Sequence, residues 1–435
     1  MNSRLLDSAS VNDRRKIWLL ASMGFLFEGL DLTIVGGVLA ALLVVFHISD
    51  SFAGLIGSTA LAGYVIGVAF AGWAGDRFGR KFVMQYTLLT FCIITILAAF
   101  SWNAGVFATL RFLTGIGVGG ESAIITPYLA EIMPAKTRGR FLGIADAMFT
   151  VGAVVASVLS LIIIPAAPWG WRLALIIAGL PAAYVLVIRR KLPESPLWLA
   201  SKGKADHSDT THDATSAKQD GLALGGKSSL LVIWGPDLAG RTILLWITWF
   251  FIELVYYGFL VWIPSMLVKR GFTLTKSLEY SFFMNLAALA GGVIASMIQD
   301  TRLGRKTTII LFFILAGISS FFFSKATDGG EILAAGCGLS FLLNGLFSML
   351  YTFTPEQYPT RVRATGQGFA SAFGHIGGTI GPLLIGLTLA DLGMGGVFGL
   401  FTLFLIVPIF TTLFLKEMAG KEIADSDVIN SSTAL

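Results

Sequence analysis

The sequence predicts an all-α membrane protein: twelve transmembrane helices in two pseudo-symmetric six-helix bundles. Three observations carry that expectation. Hydrophobic residues make up 55% of the chain and charged residues 13%, a balance far too apolar for a soluble enzyme. Apolar stretches recur along the sequence, each long enough to cross a hydrocarbon core of about 30 Å. The charged landmarks of the first half also return in the second at a constant offset of 225 residues, the mark of two related structural halves.

The spans fall near residues 17–45, 51–75, 81–100, 104–132, 139–165, 170–192, 242–268, 276–300, 307–325, 331–357, 364–388 and 394–415. They divide the chain into an N-terminal half (1–192), a linker (193–240) and a C-terminal half with a tail (241–435). With the N-terminus inside, all but six of the 31 Lys and Arg fall on the cytoplasmic side, so both termini are expected there. The net charge of +5 reflects this bias and does not point to nucleic acid. Cys92 and Cys337 both fall within spans, which implies no disulfide framework. The polar N-terminus lacks a signal-peptide pattern, so the first span is expected to be an uncleaved helix.

Helix 1 carries Glu28 and Asp31, which are i,i+3 and share one face. Counted from Lys16 at 1.5 Å per residue, they lie roughly 18 and 22 Å deep. Arg111 in helix 4, counted from Asn103, lies roughly 12 Å in from the other surface of a core about 30 Å thick. The depths match, so an acid of helix 1 is expected to pair with Arg111. An ionisable residue inside an apolar span is costly unless paired or wetted, and is a functional candidate for that reason. Gly115, Gly117, Gly119 and Gly120 leave helix 4 a surface that a neighbouring helix can approach closely.

A short turn, Asp76-Arg77-Phe-Gly79-Arg80-Lys81, joins helices 2 and 3. The offset of 225 carries it onto Arg302-Leu-Gly304-Arg305-Lys306, with Thr301 where Asp76 would fall, so the second charge network is expected to be weaker. The same offset carries Glu131, Pro134 and Arg138 onto Glu356, Pro359 and Arg363, Lys16 onto Arg241, and Glu28 onto Glu253. Asp146 and Glu121 sit toward the cytoplasmic half and belong to either an inner gate or the substrate site. Residues 200–230 are polar, and a solvated linker explains His207 and His212 better than a metal tract. Helix 7 offers Trp249, Phe250, Glu253, Tyr256 and Tyr257. Helix 10 offers Asn344, and helix 11 places His375 about 16 Å from Ala364, near the midplane.

The turn at Asp76–Lys81 resembles the signature loop of the major facilitator superfamily. Leu192-Pro-Glu194-Ser-Pro196 looks like the Pro-Glu-Ser-Pro motif of its sugar-porter and organic-ion branches. Tyr351-Thr-Phe-Thr-Pro355-Glu356-Gln-Tyr358-Pro359-Thr-Arg361-Val-Arg363 is similar to the helix 10–11 segment of the niacin, organic-ion and metabolite–proton symporter groups. The resemblance implies an inner gate of Asp76, Arg77, Arg80, Glu131, Arg138 and Glu194, opposed by Arg302, Arg305, Glu356, Arg363 and Glu417. It also implies pairing of the aspartate in Gly29-Leu30-Asp31 with Arg111, which selects Asp31 over Glu28 as proton carrier. Helix 7 lacks the paired glutamines of true sugar porters and helix 10 their Pro-Trp pair, so sugar is the weaker substrate.

The chain has no nucleotide loop and no recognisable catalytic set, so it is expected to be a gradient-driven carrier with no cofactor or metal. The favoured function is proton-coupled symport of a small organic acid, aromatic or nicotinate-like. Arg111 and His375 are its anion-binding groups, and Glu121, Glu253, Tyr256, Tyr257, Asn344 and His375 are the candidate substrate contacts. The alternative is an organic-cation or drug/proton antiporter, because Glu28, Asp31, Glu121 and Glu253 outnumber the cavity cations; a non-transporting receptor is a third reading. The short outer loops, and an Asn-x-Ser match only at Asn430 in the tail, suit a prokaryotic inner membrane; the protein is also expected to be a monomer.

Overall fold

A computed structural model describes residues 11–133, 138–195, 198–199, 229–299, 303–359 and 362–417, and all the regular structure among them is helical. The first half comprises α1 (Val11–Val45), α2 (Asp50–Phe78), α3 (Arg80–Ala98), α4 (Ala104–Ile132) and α5 (Arg138–Ile163). Its last span, α6, runs as Gly170–Gly179, a 3₁₀ turn Leu180–Tyr184 and Val185–Lys191. Pro181 causes that interruption, because it has no N–H to continue the i→i−4 ladder. A short helix, Ser229–Ile233, precedes the second half: α7 (Ala239–Lys269), α8 (Leu274–Ile298), α9 (Arg305–Lys325) and α10 (Gly329–Glu356). The helical run Arg363–Leu413 then divides at Gly393, φ 61° and ψ 178°, into α11 (363–392) and α12 (394–413). Here the whole connection between the last two spans is one glycine in a backbone conformation that side chains disfavour.

Nine helices among the described residues are long and apolar enough to cross a membrane, the run Arg363–Leu413 being counted once. Its division, the segmented α6, and α4, whose hydropathy is lowered by glycines and by Arg111 and Glu121, bring the count to twelve. The helix starts follow local chemistry. Ser49 accepts from Phe52 N–H at the head of α2, Asn103 from Val106 N–H at α4, and Asp328 from Gly330 and Glu331 N–H at α10.

Backbone-to-backbone seams hold the helices of each half together. On the α2–α4 seam, Gly63 lies against the Phe112 carbonyl and Gly67 against that of Ile116, while Gly115 and Gly119 meet the carbonyls of Ala60 and Tyr64. Gly117 and Gly120 face α3 instead, against Phe91 and Thr87. Gly152 on α5 meets the Leu26 carbonyl of α1, and its counterpart at the 225 offset, Gly377 on α11, meets that of Phe250 on α7. A methyl group at any of these positions except Gly120, which meets the Thr87 side chain, would collide with main chain, which is why small residues recur where packing replaces the hydrophobic effect as the force between helices.

One face of the bundle carries the basic turns (the basic face). Toward the opposite face the two halves close on each other. Gly36 of α1 lies against the Leu260 and Val261 backbone of α7, Gly54 of α2 against Pro382 and Gly386 of α11, and Asp50 pairs with Lys269 at 2.6 Å. Nearer mid-membrane, Asn285 donates to Ser157 at 2.9 Å, Asn344 donates to Thr150 at 3.1 Å, and the Tyr64 ring stacks on His375. The closure therefore runs from the opposite face down to the level of His375.

Candidate functional site

The first part of the site is a closed ion pair between α1 and α4. Arg111 Nη2 donates to Asp31 Oδ2 at 2.7 Å and Nη1 to Oδ1 at 3.1 Å, a fork-to-fork arrangement that fixes both partners. Thr95 of α3 donates to the same Oδ1 at 2.6 Å. Both ionic side chains are buried, Arg111 at 0% and Asp31 at 0% exposure. The seam of α4 against α2, with Gly117 against α3, brings these three helices close enough for short contacts. Of the two acids on α1, the arginine meets Asp31.

Glu28, one turn earlier, points elsewhere. Its carboxyl lies beside Tyr64 and Ser122, with His375 and Asp146 in electrostatic reach, and its Oε2 is buried without a hydrogen-bond partner among the described residues. Glu121 of α4 is also buried; Thr87 donates to its Oε2, while Oε1 faces the Gly24 backbone without a partner. Across the interface between halves, Glu253 packs against Gly374 and Gly378 of α11, with its Oε2 3.1 Å from His375 Nδ1. That nitrogen also lies 2.9 Å from the Ser371 carbonyl. In the neutral tautomer its single N–H is better aimed at the carbonyl, because Glu253 has no well-angled hydrogen bond.

Aromatic rings complete the centre. Tyr64 and His375 are parallel, with ring centroids 4.2 Å apart, and Tyr257 tilts against the same imidazole at 6.0 Å. Tyr256 packs on Tyr257 and Phe347 and reaches the Asn344 side chain, which joins it to Thr150 of the other half. The structure thus gathers Glu28, Glu253, Tyr256, Tyr257, Asn344 and His375 around the mid-membrane interface, keeps Glu121 inside the first half between α1, α3 and α4, and separates Asp31 and Arg111 from the centre. Sequence reasoning missed Tyr64, Thr87, Thr95 and Thr150. Each is an uncharged residue in an apolar helix, with no local mark to set it apart.

At the basic face the expected charges form two related networks. Arg80 meets Asp76 at 2.9 Å and Glu131 at 3.6 Å; Ser195 donates to Glu131, and Glu194 accepts from Lys81 N–H at 2.9 Å. In the second half Arg305 pairs with Glu356, and Glu417 accepts from Lys306 N–H at 2.9 Å. Gly79 (φ 104°) and Gly304 (φ 78°) make the two turns. A Cβ on either would stand 2.6 Å from a carboxylate oxygen, of Glu194 or of Glu417 respectively. Arg77 departs from the expected cluster, because its guanidinium lies over the Trp73 and Phe78 rings. Arg363 opens α11. The Arg138 side chain, Arg302, and Thr301 opposite Asp76, on which the expected weakness of the second network rests, lie outside the described residues. The arginine–glutamate pair of that network is direct.

Comparison with known proteins places this geometry among membrane carriers. The family described as "Sugar (and other) transporter" matches residues 17–429. A niacin transporter of Acinetobacter baylyi is 35% identical over 420 residues, covering 93% of this chain and 94% of that one. A putative niacin/nicotinamide transporter of Bacillus subtilis is 33% identical, covering 95% and 98%. A benzoate transport protein of Acinetobacter baylyi is 27% identical, covering 93% and 92%. Among solved structures, a partially occluded, inward-open form of the E. coli xylose transporter matches with a TM-score of 0.77 at 20% identity, covering 93% and 100%. At that identity the likeness is one of fold.

Proposed function

Because the chain belongs to the sugar (and other) transporter family of the major facilitator superfamily, we propose that it is a proton-coupled symporter of a small aromatic organic acid. Its relatives carry niacin, benzoate, gentisate and gallate by name, which supports the acid over an organic cation or a sugar. The basic face lies in the cytoplasm of a prokaryotic inner membrane, both termini with it, and the protein works as a monomer. Residues 1–192 and 241–435 are its two moving halves, and 193–240 link them. In this assignment the closed side is the outer one.

The observation that carries the coupling is the buried Asp31–Arg111–Thr95 triad. A carboxylate held by a bidentate arginine and a threonine is stable while charged. Once protonated, Asp31 can no longer accept two charged donors, and Arg111 is left as a buried cation without a counter-ion. The two protonation states therefore favour different packings of α1 against α4, and a proton gradient acts on the access equilibrium through that difference. At the cytoplasmic end, Asp76–Arg80–Glu131 and Arg305–Glu356 form the inner gate, with Glu194 and Glu417 pinning the two turns.

The test is transport in liposomes. Asp31→Asn, which mimics the neutral state, should abolish accumulation driven by a pH gradient while leaving substrate exchange intact. Glu28→Gln is the comparison. Accumulation that survives in Asp31→Asn and is lost in Glu28→Gln would move the coupling role to Glu28.

A further inference from the structure

The repeat makes the α2–α11 and α5–α8 contacts twin seams between the halves, because α2 corresponds to α8 and α5 to α11 at the offset of 225. The two are built differently. On the α2–α11 side Gly54 rests on Pro382 and Gly386, and Gly57 on the Val261 and Pro382 side chains, so that contact is backbone and hydrocarbon. On the α5–α8 side Ser157 stands where α11 has Pro382, and Ser160 where it has Ile385. Asn285 likewise replaces the Ala60 of α2, and Ser281 its Ile56. Asn285 donates to Ser157 across the halves at 2.9 Å, and a cavity of about 20 Å³ lies beside that bond. Its polar lining is Thr33 of α1, Ser157 and Ser160 of α5, and Ser281 and Asn285 of α8. One water molecule needs roughly 10–15 Å³, so the space holds one.

A hydroxyl in a helix can bond back to its own backbone, as Ser157 does to the Ala153 carbonyl and Ser281 to that of Ser277. Thr33 and Ser160 do not. They are buried, at 7% and 4% exposure, and neither hydroxyl has a partner among the described residues. Both line the cavity from the first half. From the second half, Asn285 spends its two amide hydrogens on Ser157 and on the Ser281 carbonyl, which leaves its amide oxygen to accept. Two donors on one side and an acceptor on the other are complementary to a molecule that both accepts and donates. We propose that one water molecule is bound here, accepting from Thr33 and Ser160 and donating to Asn285, and so ties the two halves together on the face opposite the basic turns. A bridge of this kind is nearly as good as a direct hydrogen bond. It lapses when that face opens, because its donors and its acceptor leave with different halves. The site therefore weights the access equilibrium toward closure of that face.

Removing an unmet buried hydroxyl leaves stability unchanged or raises it, whereas removing one bonded to water forfeits a hydrogen bond. Thr33→Val keeps the shape of the side chain, and Ser160→Ala takes away only the oxygen. In the purified full-length protein each should lower the melting temperature by about 1–2 °C. The control is Ser58→Ala, which removes a buried, unpartnered hydroxyl that does not line this cavity and should lower nothing. Spin-label distances across the face opposite the basic turns should show its closed-to-open ratio falling about two- to tenfold in Thr33→Val. Unchanged or raised melting temperatures in Thr33→Val and Ser160→Ala would overturn the proposal, as would an equal loss in Ser58→Ala. A lower melting temperature with an unmoved closed-to-open ratio would confine the water to the first half and overturn the bridge.

Discussion

The acid pairs of the two halves differ in the kind of partner each has. In the first half Asp31 is bound by a guanidinium at two points and by a threonine, so both of its carboxylate oxygens are bonded. In the second half Glu253 meets an imidazole at a single point, and the same ring nitrogen also faces the Ser371 carbonyl. The first pair is closed and self-sufficient; the second is loose and lies beside the aromatic centre. One related pair of bundles thus holds a closed ion pair on one side and a looser acid–imidazole contact on the other.

The largest effect should come from breaking the closed pair from its cationic side. Arg111→Ala strands a buried carboxylate, which should cost roughly 3–5 kcal/mol of stability and sharply lower the melting temperature in detergent. The double variant Asp31→Asn/Arg111→Ala should recover much of that loss, and a double variant no more stable than the single one would show that the pair is not the source. His375→Leu should cost less, roughly 1–3 kcal/mol, because the bond it removes is already poorly aimed and the Tyr64 stack adds little more. A His375→Leu penalty equal to that of Arg111→Ala would erase the contrast drawn here.

Next come the two basic-face turns. Gly79→Ala and Gly304→Ala each force a side chain into positive φ against a carboxylate and should each cost about 1–2 kcal/mol. Equal penalties would show the turns to be matched parts, and unequal ones would say which half anchors its basic turn more firmly. The smallest effect belongs to Lys269→Ala, which opens the partly exposed bond to Asp50. It should shift stability by no more than about 1 kcal/mol, and the shift should fade with added salt.

Much of the fold could be read from the sequence because membrane spans announce themselves by length and apolarity, and because Gly79, Arg80 and Glu131 return as Gly304, Arg305 and Glu356. The acid opposite Arg111 was legible as a matter of depth. Depth alone did not separate Glu28 from Asp31, since residues three apart share a face; the resemblance selected Asp31, and Arg111 pairs with it. Tyr64 and the threonines of α3 and α5 were not legible. A hydroxyl in an apolar helix can bond its own backbone, as Ser22 does to Trp18 and Ser281 to Ser277, so its presence does not say whether it reaches across. Arg77 misled for a related reason: its charge suggests an ion pair, but a guanidinium also lies well on aromatic rings.

The glycine seam between α2 and α4 has a mechanical consequence. With main chain resting on main chain at four points, there are no long side chains between the two helices to bend or repack, so the pair behaves as one stiff rod. Arg111 sits toward one end of that rod; Asp76 and Glu131 sit at the other. Any tilt of the pair at the level of Arg111 would therefore move the basic turn with it, in the way a rigid beam carries a load that a padded one would absorb.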